Sequence, residues 1–311
     1  MRVLPLCLVA VLMLGCAPPR SGVDWHAYTT QLEQLGYMSK KRYPQDAPVD
    51  ADLLARNFER LAFVAEQDAA TRNEHLTGPE HAHLRKWREA VVYRITELDD
   101  GETEFKRKVS RYLKRLHLLT GVEILPGKRK KDRAPGEPVP NLMIIYGPDL
   151  LMARLARLDR DRSGNQASAG SKTKDGTDAR RAIFRSIADR IRKWRAAPSP
   201  CAGTAFVATQ PKGDRVFGEI FGAIIYIRSE IPESLLDACV EEELAQVFGI
   251  MNDDASARPS IFNDDQEFAL LTFHDELLLR ILYDPRLRPG MKPEDAMPIV
   301  RRIARELRPG T

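Results

Sequence analysis

The chain has 311 residues, of which 43% are hydrophobic and 30% are charged. This length can bury a large core, and the composition is that of a globular protein rather than a disordered or fibrous one. The net charge of +4, from 48 basic and 44 acidic residues, is too small to argue for nucleic acid as a partner.

The N-terminus has the features of a secretory signal peptide over residues 1–15. Arg2 precedes an apolar run, Val3 to Leu14, that is too short to span a bilayer. A small residue directly before Cys16 resembles the bacterial lipobox, in which the cysteine is lipidated. Ala17, rather than an aspartate, follows as in lipoproteins sorted to the outer membrane. We expect a lipid anchor at Cys16 on the periplasmic face; secretion with cleavage near Ala17 is the alternative.

Helices and strands alternate along the rest of the chain. Apolar residues at helical spacing predict helices, and short apolar runs between turn residues predict strands. In chain order we place a helix at 50–66, a loop at 67–78, a strand at 90–95, a helix at 102–119, strands at 122–125 and 142–146, a helix at 150–158, a loop at 159–178, a helix at 180–195, strands at 204–208 and 220–227, and helices at 232–248, 275–282 and 293–307.

Two of the four cysteines remain available for a disulfide. Cys7 would leave with the signal peptide, and Cys16 would be lipidated. An even pair in an oxidising compartment indicates a disulfide between Cys201 and Cys239. Two buried thiols are the alternative.

The helix at 232–248 has the frame of a zinc-peptidase motif without its histidines. In the pattern H-E-x-x-H-x-x-G-x-x-H/D, two histidines bind the metal and the Glu between them is the general base. Glu242 and Gln246 stand at the histidine positions, and Glu243 stands at the general-base position. Gly249 holds the glycine position.

The third ligand position falls at Asn252 or Asp253. Glutamine is a poor zinc ligand, and a site of Glu242, Gln246 and Asp253 would consist of oxygen atoms only. Such a site suits calcium, magnesium or manganese at best. We therefore expect no metal and no other cofactor. Glu243 is the catalytic candidate if the protein is active; a structural carboxylate held by backbone amides or an arginine is the alternative.

Three further features of the sequence have both a functional and a structural interpretation. Met291 lies in the turn Pro289-Gly290-Met291 and matches the methionine turn that metzincin-like peptidases place beneath the metal; ordinary turn chemistry is its alternative. A lone histidine such as His274 is more often structural than a ligand. The basic run from Lys128 to Arg133 could meet anionic polymers or lipid, but such runs are more often solvated loops.

The segment from Cys239 to Met291 resembles a bacterial envelope domain family of unknown function. The resemblance rests on a cysteine before Glu-Glu-Leu-x-Gln-x-x-Gly, followed by Ser260–Asp264, Asp275–Pro285 and Pro289–Met291. The motif and the element order also resemble the upper half of a zincin. They imply an α+β fold: a twisted mixed sheet with a backing helix and the motif helix, then a mainly helical C-terminal subdomain. Ile220 to Ile227 would be the edge strand.

These observations divide the chain into five segments: the signal peptide 1–15, a tether and N-terminal extension 16–49, an N-terminal helical segment 50–85, a zincin-like upper subdomain 86–251 and a helical C-terminal subdomain 252–311. We expect an outer-membrane lipoprotein that binds or scaffolds another envelope protein or a cell-wall polymer. A hydrolase that uses Glu243 as general base and a cell-wall-binding module are the alternatives.

Overall fold

The computed structural model describes residues 23–63, 82–97, 104–148, 199–209, 214–263 and 265–309. Within them the α-helices are α1 (Trp25–Gln34), α2 (Ala51–Phe63), α3 (Glu104–Thr120), α4 (Glu233–Gln246), α5 (Phe273–Leu282) and α6 (Pro293–Leu307). The strands are β1 (Lys86–Trp87), β2 (Val91–Glu97), β3 (Ile124–Pro126), β4 (Leu142–Gly147), β5 (Cys201–Val207) and β6 (Glu219–Arg228).

The strands form one mixed, mainly parallel sheet. Its order is β3-β2-β4-β6-β5, and β1 pairs with the first residues of β6. Tyr93 lies opposite Leu142, and Leu142 lies opposite Ala223. Only the pair β5–β6 is antiparallel among these described strands. The predicted α+β fold is confirmed at this level.

The prediction that Ile220 to Ile227 form an edge strand was wrong. β6 lies between β4 and β5, and it is buried along almost its whole length. Ile225 and Ile227 belong to the main core, whereas Ile224 and Tyr226 pack with Ile145 on the other face. A continuous apolar run is typical of a strand that is covered on both faces. Among the described strands, the antiparallel edge strand is β5.

All six described helices contribute buried residues to the main hydrophobic core, together with the sheet. α3 buries Phe105, Val109, Tyr112, Leu113 and Leu116, which is the apolar face that its sequence predicts. α2 packs against α5 and α6, and α4 packs against α3, β5 and β6. Buried residues occur all around α4 rather than on one stripe. The motif helix is therefore an interior element.

The predicted disulfide is confirmed. Cys201, the first residue of β5, is bonded to Cys239 in α4. The two cysteines are 38 residues apart in sequence, and closing a loop of that size stabilises the fold by about 4 kcal/mol in the chain-entropy model. The disulfide ties the edge strand directly to the motif helix.

Most predicted elements occur within a few residues of their expected bounds. α1, which lies in the predicted extension 16–49, and the short strand β1 were missed. The predicted helices at 150–158 and 180–195, the loops at 67–78 and 159–178, and the lipidation site Cys16 fall outside the described residues. The division into five segments stays a prediction.

None of the helices in the described residues is both long and apolar enough to cross a membrane.

Candidate functional site

Three consecutive glutamates on α4 point in different directions, because neighbouring helical residues are separated by about 100° around the axis. Glu241 and Glu243 are buried, and Glu242 is half-buried. The three residues are identical and consecutive in sequence, but each lies in a different environment.

Glu241 of the motif helix forms an ion pair with Arg42 through both of its carboxylate oxygens. Arg42 lies on the segment between α1 and α2, and its Nη2 and Nη1 lie 2.6 and 3.1 Å from the two carboxylate oxygens. Leu271 N donates to the same carboxylate at 2.8 Å. Burial raises the pKa of Glu241, and Arg42 opposes that rise. This carboxylate holds together three distant parts of the chain.

Glu243, the candidate general base, is buried against the edge strand. Its side chain is on the α4 face that meets β5, and the residue is only 6% exposed. A Cβ atom built on Gly203 of β5 would lie 2.6 Å from Glu243 Oε2. The absence of a side chain at Gly203 therefore lets the carboxylate approach the strand closely.

Gln246 and Asp253, two of the candidate metal ligands, contact each other directly. Gln246 Nε2 lies 3.2 and 3.4 Å from the two carboxylate oxygens of Asp253. Asn252, the other candidate for the third position, donates through Nδ2 to Arg60 O at 3.0 Å. These side chains fasten the loop after α4 to the helix and to α2.

The described residues include no group of three His, Cys, Asp or Glu side chains that could hold a metal ion. Glu242 shares a helix face with Gln246 and is half-buried. Gln246 presents an amide N–H, rather than an oxygen, to Asp253. As arranged, the Gln246–Asp253 pair is a hydrogen-bonded contact and does not offer two oxygen ligands at one point.

The end of α4 is held by aromatic side chains. Trp87 Nε1 donates to Val247 O at 2.9 Å, and Tyr283 Oη donates to Phe248 O at 2.9 Å. Val247 is the C-cap of α4 and Phe248 follows it, so these donors stabilise the turn that ends the helix. Gly249 follows, with a positive φ of 117°.

Met291 lies beside the segment that precedes β1. Leu84 N donates to Met291 O at 2.9 Å, and Gly290 N donates to Leu84 O at 2.8 Å. The sulfur of Met291 accepts from Arg288 N at 3.2 Å. The contacts of this turn are thus to the β1 side of the fold.

A buried polar network around α5 was not predicted. Asp275 and His274 are fully buried. His274 Nε2 lies 3.0 Å from Asn57 Nδ2, and its Nδ1 lies 3.1 Å from Asp275 Oδ1. With the proton on Nδ1, the ring donates to Asp275 and accepts from Asn57. The signal available in the sequence was the capping box Thr272-x-x-Asp275, which is present in the structure.

Lys86 is a second buried charge that the sequence did not reveal. Its Nζ donates to Leu282 O at 2.8 Å and to Leu287 O at 3.0 Å. Burial lowers the pKa of Lys86 to about 8. The side chain joins β1 to the end of α5, so its role in the fold is structural.

The expected membership in a family of unknown function is confirmed by comparison with known proteins. The family described as "Protein of unknown function (DUF2927)" matches residues 51–302, from the start of α2 into α6. No curated protein and no solved structure matches the chain. The matched region covers most of the chain and includes the whole sheet, the motif helix and the buried network. The chain therefore belongs to the DUF2927 family of proteins of unknown function.

Proposed function

We propose that this protein is an outer-membrane lipoprotein whose zincin-like domain binds another component of the cell envelope instead of cleaving it. The contact between Gln246 and Asp253 carries this proposal. In a working zinc peptidase these positions supply metal ligands. Here one is an amide that donates to the other, and both serve to hold the loop after α4.

The order of the elements supports a zincin-like fold. β2 is followed by the long helix α3, then by β3 and β4, by the antiparallel edge strand β5, and by β6 with the motif helix α4. A zincin likewise has a backing helix after its first strand and an edge strand before its active-site helix. The motif positions and the order of elements are independent observations, and they favour the same fold.

The edge strand is the surface that we assign to the partner. In the described residues β5 pairs with β6 only, and the residues after Cys201 are half-buried. The disulfide and the contact between Gly203 and Glu243 fix this strand over α4. A rigid edge strand suits an extended segment of another envelope protein, because strand addition uses backbone hydrogen bonds.

Metal analysis of protein purified without chelators tests the proposal. We expect far less than one metal ion per chain, and no peptide cleavage by the wild type or by Glu243→Gln. Glu233→Gln is the matched control, because it makes the same change at an exposed carboxylate of the same helix, away from the motif positions. Stoichiometric zinc, together with cleavage that is lost in Glu243→Gln and kept in Glu233→Gln, would overturn it.

The position of Glu243 favours a second candidate, a hydrolase that uses this residue as general base. Its carboxylate is buried beside the edge strand, and burial is one way in which enzymes adjust a carboxylate for proton transfer. This candidate predicts a loss of activity in Glu243→Gln at unchanged stability. Sedimentation with peptidoglycan that is indifferent to Glu243→Gln would instead indicate a cell-wall-binding module.

The membrane anchor is proposed from the lipobox-like sequence that ends at Cys16. Acyl chains contribute about 0.8 kcal/mol per buried methylene, so more than one chain anchors a protein stably. We expect incorporation of radiolabelled palmitate by the wild type and its loss in Cys16→Ser. Cys7→Ser is the matched control, since Cys7 would leave with the signal peptide. Identical processing and fractionation of the wild type and Cys16→Ser would exclude the anchor.

A further inference from the structure

Strand β2 is longer than its neighbour β3, which leaves part of one sheet edge open. β2 covers Val91–Glu97, whereas the ladder with β3 ends where Tyr93 lies opposite Pro126. Among the described residues, the last backbone hydrogen bond on this side runs from Gly127 N to Tyr93 O, at 2.7 Å. Among the described strands, none pairs with β2 on this side beyond Tyr93.

The backbone groups of Ile95 and Glu97 face the open edge. Tyr93 O points to the β3 side, and Val92 O accepts from Asn141 N on the β4 side. Residues along a parallel strand address its two neighbours alternately. The odd-numbered residues after Tyr93 therefore point toward the place that a longer β3 would occupy. Such a row of backbone donors and acceptors is a template for another strand.

A cavity of about 680 Å³ lies along this edge. Its walls include the β2 residues Arg94 to Glu97, Lys106 and Ser110 of α3, and Arg129 of the loop after β3. Four strand residues extend about 13 Å at the usual rise per residue. The cavity therefore has the length of a short extended peptide.

Glu97 lines this cavity, and one of its carboxylate oxygens has no hydrogen-bond donor among the described residues. Its side chain is 7% exposed, and Lys106 Nζ lies 2.8 Å from Oε2. Oε1 is buried and has no hydrogen-bond partner among the described residues. A buried carboxylate oxygen without a donor is unfavourable. A ligand that supplies an N–H group here would relieve that cost.

The cavity carries more positive than negative charge. Lys106 is paired with Glu97, and Arg129 lies 2.7 Å from Asp132 in an exposed pair. Arg94 makes no ion pair with the described residues, although it lines the cavity. The unmatched charge is therefore a guanidinium, which suits a carboxylate.

We infer that this edge binds an extended, acidic peptide segment of a partner protein. The segment continues the sheet beyond the end of β3. Its backbone pairs with Ile95 and Glu97, and one of its carboxylates meets Arg94. This site is separate from the motif helix, because β2 and β5 lie toward opposite ends of the sheet.

Selection from a random decapeptide display library on the full mature chain tests the inference. We expect enrichment of peptides that alternate acidic and apolar residues. In fluorescence anisotropy, a labelled peptide of the enriched sequence should bind Arg94→Glu at least about tenfold more weakly than the wild type. Arg56→Glu, which makes the same charge change on the exposed face of α2, should bind within about twofold of the wild type. Thermal melting of both variants checks that they are folded.

Modified peptides test how much the backbone hydrogen bonds contribute to binding. Methylation of alternate amide nitrogens removes donors without changing side-chain charge, and it should also weaken binding at least about tenfold. Three results would overturn the inference: no enriched peptide, equal losses in Arg94→Glu and Arg56→Glu, or undiminished binding of the methylated peptide. The last of these would indicate a site for free anions. Unchanged binding to Glu243→Gln would show that the result is independent of the proposed function at the motif helix.

Discussion

Replacing Gly249 by alanine is expected to destabilise the fold by about 3 kcal/mol or more. Its φ of 117° is one that residues with a side chain rarely adopt, and a Cβ atom there would lie 2.2 Å from Arg85 O and 2.9 Å from Leu282 Cδ2. A backbone oxygen cannot rotate away as a side chain can. The segment leading into β1 must therefore move away from the end of the motif helix.

Gly121→Ala is the matched control for this prediction. Gly121 follows α3 and has a φ of 70°, but a Cβ atom there would meet nothing within 4 Å. Gly121→Ala should therefore lose only about 1 kcal/mol of stability, which is the cost of placing a residue with a side chain at a positive φ. Urea unfolding of the two variants and the wild type measures both losses. Equal losses would show that the approach of Arg85 to Gly249 is not what demands glycine.

The packing of the fold thus requires glycine at position 249, independently of any catalytic role. Arg85 O reaches the chain at Gly249 because Lys86 and Trp87 pack against the end of α4 and the end of α5. The same reasoning applies to Gln246 and Asn252, which hold the following loop. A sequence that keeps the frame of a peptidase motif can therefore be constrained by packing alone.

Amphipathic helices were the part of the fold that the sequence predicted best. The bounds of α6 agree with the predicted helix at 293–307, because Pro293 begins it and its apolar residues recur at helical spacing. α1 was missed because it buries little: only Trp25 and Thr29 are buried along its length. A helix with a narrow apolar face gives a weak periodic signal.

The composition of β5 and β6 explains why the edge-strand prediction was wrong. The run Ile220–Ile227 is almost entirely apolar, which fits a strand covered on both faces. The residues of β5 include Ala202, Gly203 and Thr204, which fit an edge. Chain order alone indicates the wrong strand, because it does not reflect this contrast in composition. Relative hydrophobicity of the two strands would have placed them correctly.

The partners of the buried charges could not be predicted from local patterns. Arg42 and Glu241 are 199 residues apart in sequence, and Asn57 and His274 are 217 apart. The sequence indicated only that a structural carboxylate in α4 would need backbone amides or an arginine as its partner. The carboxylate named from the sequence was Glu243, whereas the carboxylate that pairs with Arg42 is that of Glu241. Contacts of this range depend on the tertiary fold.

Removing the carboxylate of Asp275 is expected to have the largest effect on the buried network. Its Oδ1 accepts from Ser260 Oγ at 2.6 Å and lies 3.1 Å from His274 Nδ1. Its Oδ2 accepts from Ile261 N at 3.1 Å and from Thr272 N at 2.8 Å. Asp275→Ala leaves these donors without an acceptor in a fully buried site, which should cost about 4 kcal/mol.

Asp275→Asn separates the loss of hydrogen bonds from the loss of volume. The amide oxygen can still accept from Ile261 N and Thr272 N, and the NH₂ group can donate to Ser260 Oγ. The NH₂ group cannot accept from His274 Nδ1, so that hydrogen bond is lost. We therefore expect about half the cost of the alanine variant. Asp132→Ala, which breaks an exposed pair with Arg129, should cost less than about 1 kcal/mol. Urea unfolding measures all three variants. Losses for Asp275→Ala as small as those for Asp132→Ala would mean that the network does not hold α5 to the loop before it.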